Sequence, residues 1–111
     1  RESGCQASIQ IDQLDEIAAF IKYRDLVGLN GGCLITNPVP KKDEIPKERI
    51  VPIIENAIRY AEKSKISGKA LTPFLLTKIF ELTDGKSLKT NISLIKNNAK
   101  VAAKLSVLLK E

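Results

Sequence analysis

At 111 residues the chain has room for one domain and one core, not two. Eighteen basic residues against 13 acidic ones leave a net charge of +5, which suits a phosphate-bearing substrate or a nucleic acid. With no histidine at all, the usual zinc site and a histidine-activated nucleophile are both excluded within this chain.

The charge distribution argues against nucleic acid. Lysines run from Lys22 to Lys110 with acids among them, and Tyr23 and Tyr60 stand apart, so no basic run is interleaved with aromatics. No apolar run approaches the roughly 20 residues of a membrane-spanning helix. The opening Arg1-Glu2-Ser3-Gly4-Cys5 lacks the apolar segment of a signal peptide. A cytoplasmic location is expected, an organellar one staying open, with no membrane partner. The two cysteines, Cys5 and Cys33, lie in or beside apolar segments and read as buried thiols of a reducing compartment. The chain opens without a methionine and contains none, from which a processed chain or a piece of a longer one is expected.

From Cys5 to Ile11 apolar and polar residues alternate, which predicts a short strand with one polar face. Asp12 or Gln13 is placed to cap a helix whose first turn carries Asp15 and Glu16 and whose core stripe is Leu14, Ile17, Ala18 and Ile21. Gly28 ends it. Gly31 and Gly32 permit positive φ or close approach, and the apolar run Cys33-Leu34-Ile35 predicts a second, buried strand. Asn37-Pro38 stops that strand, because Pro38 cannot donate to a ladder. A polar residue at such a strand end is a common ligand position in α/β sheets, a plain exit to a loop being the alternative.

Residues 38–46, with three prolines and the run Lys41-Lys42-Asp43-Glu44, read as a solvated connector. Ile50, Ile53, Ile54, Ala57, Ile58 and Ala61 then fall on one stripe, giving a helix from Lys47 to Ser64 with Pro52 near its first turn. Thr72-Pro73 reads as a helix start, the hydroxyl capping free amides. Ser87 is placed to cap the last and longest helix, Leu88 to Lys110.

Wound at about 100° per residue, this helix puts Lys89, Lys96, Lys100, Lys104 and Lys110 on one arc. Asn91 and Asn98 fall on the opposite one, with Leu94, Ile95, Ala102, Leu105 and Leu109. Two asparagines on an apolar arc are expected to be buried, and each then needs a backbone partner or a ligand. An amide donates and accepts in one plane, the match for an imide edge such as a pyrimidine's; a tie between helix and loop is the alternative. Two short strands make no stable sheet alone, so they are expected to pair with strands outside this chain.

Three stretches together closely resemble one family. They are Gly31-Gly32-Cys33-Leu34-Ile35-Thr36-Asn37-Pro38-Val39-Pro40, Gly68-Lys69-Ala70-Leu71-Thr72-Pro73-Phe74-Leu75-Leu76, and Glu81 through Ile92 with Asn97-Asn98-Ala99 behind it. The likeness is to the C-terminal third of the pseudouridine 5'-phosphate glycosidases, the indigoidine-synthase-A-like family, and it covers nearly the whole chain.

The resemblance implies a fold class, α/β: residues 1–111 would be the C-terminal segment of a single three-layer α/β/α domain, with two short strands and about four helices here. It implies reversible cleavage of the carbon–carbon glycosidic bond of pseudouridine 5'-phosphate to uracil and ribose 5-phosphate, by a homotrimer using a divalent metal, usually manganese. The family's lysine nucleophile, glutamate proton donor and metal-binding aspartate precede this segment. No catalytic or metal-binding residue is therefore expected here, the fragment alone is expected to be inactive, and the upstream portion of the same protein is its expected partner. Asn91 matches a family asparagine that contacts uracil, and Asn37 and Thr72 match motif positions near strand ends. The competing reading is a stand-alone basic helical module that binds an acidic protein or a nucleic acid.

Overall fold

The structure is a computed structural model and describes residues 6–110. Four α-helices account for most of them: α1 (Leu14–Leu26), α2 (Lys47–Lys63), α3 (Leu71–Leu82) and α4 (Lys86–Lys110). Short 3-10 turns at Lys41–Asp43 and Gly68–Ala70 lead towards α2 and α3.

The expected α/β class is overturned, because the described residues contain no strand. The segment expected as a first strand has no regular structure from residue 6 to 11, and its first residue, Cys5, lies outside the described residues. The Cys33-Leu34-Ile35 run is irregular and exposed, Leu34 to 90%. A strand exists only through a ladder to a neighbour, and neither segment has one among the described residues, so apolar composition alone leaves the backbone irregular and unpaired. Cys33 is correspondingly a free, exposed thiol rather than a buried one.

Three helices end in the same way. At the end of α1 the amide of Leu29 donates to the Arg24 carbonyl and that of Gly28 to Asp25, with Gly28 at φ 77°. This paired arrangement closes the last turn and lets the chain leave at an angle. α2 repeats it with Ile66 to Ala61 and Lys65 to Glu62, and α3 with Gly85 to Phe80 and Asp84 to Glu81. Gly31 and Gly32, by contrast, do not use positive φ. Pro52 sits inside α2, beyond the first turn. The carbonyl its missing N–H leaves unbonded belongs to the exposed Glu48, where water can reach it.

The chain divides into two compact units, Arg1–Pro38 with Lys96–Glu111, and Val39–Ile95. In the first, Ala18 of α1 and Leu105 of α4 are the buried apolar residues, and Lys22 Nζ donates to the Leu108 carbonyl at 2.9 Å. In the second, α2 packs against α3, with Ala57 and Ala61, one turn apart, fully enclosed. Lys78 of α3 lies 4.7 Å over the Tyr60 ring of α2 and bonds Glu81. The hydrogen bond to Glu81 lifts the Lys78 pKa above the ordinary lysine value. The pair's small contribution is therefore full below that ordinary value and fades as pH rises through the lifted one.

Helix starts differ slightly from the sequence pattern. The 3-10 turn at Gly68–Ala70 runs directly into Leu71, so Thr72 is already inside α3 and caps nothing. At the start of α4 the cap is Thr83 rather than Ser87. Its buried hydroxyl donates to the Ile79 carbonyl at 2.7 Å and accepts the Ser87 amide at 3.1 Å, serving the end of one helix and the beginning of the next.

Candidate functional site

Asn91 lies in the first part of α4, within the second unit. It is exposed, not buried as its helical arc predicts. Its neighbours on that face at positions −3, +1 and +4 are Leu88, Ile92 and Ile95, which are 50%, 45% and 59% exposed. The same arc is covered further along, where Leu105 is 8% exposed. The N-terminal half of α4 thus presents an open apolar strip with one amide in it. A planar donor and acceptor set among aliphatic side chains suits a flat, partly polar heterocycle, which stacks on the apolar groups and pairs its edge with the amide.

Two side-chain bonds hold the preceding loop to this part of the unit and keep the helix in place. The Thr90 hydroxyl donates to the Asp43 carbonyl at 2.8 Å, and the Ser93 hydroxyl to the Asp43 carboxylate at 2.6 Å. Thr90 and Ser93 flank Asn91, so the loop grips α4 beside the amide and leaves the amide itself free. Nothing in the sequence pattern singled out Asp43 for this; its place in a charged run made it look merely solvated.

Asn37 belongs to the first unit and is half-buried. Its Nδ2 donates to the Asn98 Oδ1 of α4 at 3.1 Å, and the neighbouring Asn97 Nδ2 donates to the Pro38 carbonyl at 3.3 Å. Asn98 is exposed, not buried as its arc position predicts, and its partner is another side-chain amide. Thr72 is exposed on α3, and no hydrogen bond joins it to Asn91 among the described residues.

The lysines expected on the opposite arc of α4, Lys89, Lys96, Lys100, Lys104 and Lys110, are all exposed. No three acidic or cysteine side chains gather where they could hold a metal ion among the described residues.

The chain is 47% identical over 111 residues to the pseudouridine-5'-phosphate glycosidase 1 of Rhizobium johnstonii, covering 100% of this chain and 35% of that protein. It is 46% identical over 110 residues to the pseudouridine-5'-phosphate glycosidase of Methylobacterium nodulans, covering 99% of this chain and 33% of that protein. To the pseudouridine-5'-phosphate glycosidase of Caldanaerobacter subterraneus it is 50% identical over 109 residues, 98% of this chain and 36% of that protein. The chain spans about a third of the length of these curated relatives. The model of the family described as indigoidine synthase A like protein matches residues 1–108, nearly the entire sequence, and the chain belongs to that family.

Proposed function

We propose that this chain supplies the uracil-holding face of a pseudouridine 5'-phosphate glycosidase, an enzyme that reversibly cleaves the carbon–carbon glycosidic bond of its substrate to uracil and ribose 5-phosphate. Membership of a family whose relatives carry that name supports the reaction. The observation that carries the role of this segment is the free Asn91 amide set in the exposed strip of Leu88, Ile92 and Ile95. In this reading Asn91, Asn37 and Thr72 are substrate contacts, and Asn91 pairs with the edge of the base.

In this reading the bond-breaking groups, a lysine that forms an imine with the opened sugar and a glutamate that protonates the base carbon, lie outside this chain. An iminium is what such a reaction needs, because a carbon leaving group departs only if the electrons have somewhere to go. The divalent metal, manganese in this reading, also finds no fitting donor set among the described residues. Its ligands are assigned outside this chain, as is the rest of a homotrimer.

The test is Asn91→Ala in a full-length protein that carries this chain. With the base edge left unpaired, kcat/KM should fall about tenfold to a hundredfold while the melting temperature changes little. Asn91→Asp should be worse, since a charge must be desolvated to meet the base. A fall in stability with near-normal kinetics would overturn the assignment.

A further inference from the structure

Among the described residues, no backbone-to-backbone hydrogen bond holds residues 30–38. What ties that segment down is a set of side chains. Arg24 bonds the Gly31 carbonyl, Asn98 accepts from Asn37, and Asn97 donates to the Pro38 carbonyl. Pro38 has no N–H, so its carbonyl is the only backbone group it can offer, and Asn97 takes it. Adjacent residues on a helix point about 100° apart, so Asn97 and Asn98 grip two successive residues of the segment from two directions.

The bond from Asn37 to Asn98 does more than hold the chain. A side-chain amide has two edges, an acceptor oxygen and a donor NH2, and exchanging them costs only whatever bonds distinguish them. With Asn98 Oδ1 accepting from Nδ2, the Asn37 oxygen points away from the bond, whereas turning both amides over together would keep a bond with the edges exchanged. The Asn37 oxygen is left without a partner among the described residues, and so is the Asn98 Nδ2.

We propose that Asn98 is a positioning residue for substrate binding: it fixes the Asn37 amide with its oxygen free to accept from the substrate, while Asn97 locks the Pro38 carbonyl behind it. The proposal rests on the reading of Asn37 as a substrate contact. α4 then has two separate tasks, presenting Asn91 directly and orienting Asn37 through Asn98.

The experiment compares Asn37→Ala, Asn98→Ala, the double variant and Asn98→Asp in a full-length protein that carries this chain, measuring KM and kcat for pseudouridine 5'-phosphate cleavage together with thermal unfolding. Asn98→Ala should raise KM about threefold to tenfold with kcat within about twofold, and the double variant should be no worse than Asn37→Ala alone. Asn98→Asp keeps an acceptor oxygen for Asn37 and should restore KM to within about twofold of the parent. Should Asn98→Ala not fold, Asn98→Gln, which displaces the same amide by one methylene, is expected to show the same rise in KM. Additive effects in the double variant, a lowered melting temperature with unchanged KM, or an aspartate no better than alanine would each overturn the positioning role. An unchanged KM in Asn37→Ala overturns instead the reading of Asn37 on which it rests.

Discussion

Lys65 and Asp84 carry left-handed backbone, at φ 54° and 52°, where α2 and α3 end. Asp tolerates this region because its short polar side chain bonds locally, whereas a lysine bears the full clash of its Cβ with the following carbonyl. Lys65→Gly should therefore raise stability, by about 0.5–1 kcal/mol after the entropy glycine gains in the unfolded chain is set against the relieved clash. Gly85→Ala should do the reverse, because a Cβ there would adopt φ 75° and meet the Phe80 ring at 3.3 Å. Urea unfolding of both variants beside the parent checks the pair of signs. The exposure of Asn91 was not legible from its arc, since a helical wheel says which residues share a face and not what covers the face.

Each helix bonds within itself, so its existence could be read from local periodicity; a strand depends on a partner elsewhere. That difference explains why all four helices were legible, to within a few residues, and neither strand is present among the described residues. Helix starts were misplaced at Thr72 and Ser87 because the deciding groups, a preceding 3-10 turn and the Thr83 hydroxyl, belong to the adjoining segment. The ties of Asn37 and Pro38 to α4 cross about 60 residues of sequence and left no periodic trace. On α4 the lysine arc is exposed, which makes it a solvated face. Replacing Lys96, Lys100 and Lys104 by glutamine in a full-length protein should change stability by no more than about 0.5 kcal/mol each and leave turnover intact. Loss of activity with the melting curve unchanged would instead assign the stripe to phosphate binding.

Only five apolar side chains are buried among the described residues, Ala18, Ile45, Ala57, Ala61 and Leu105, and three of them are alanines. Within the first unit Tyr23, Leu26, Val27, Leu29 and Leu34 are all more than half exposed. Apolar surface of this extent drives association. The 111 residues by themselves should therefore self-associate as concentration rises, read by sedimentation velocity, and release no uracil from pseudouridine 5'-phosphate. Turnover comparable to that of a full-length relative would place the bond-breaking groups inside this chain after all. In mechanical terms, Thr83 is a pin without slack. One oxygen bonds a carbonyl in the last turn of α3 and the Ser87 amide in the first turn of α4, so both helix ends share a single tie, and Asn91 follows it by little more than one turn.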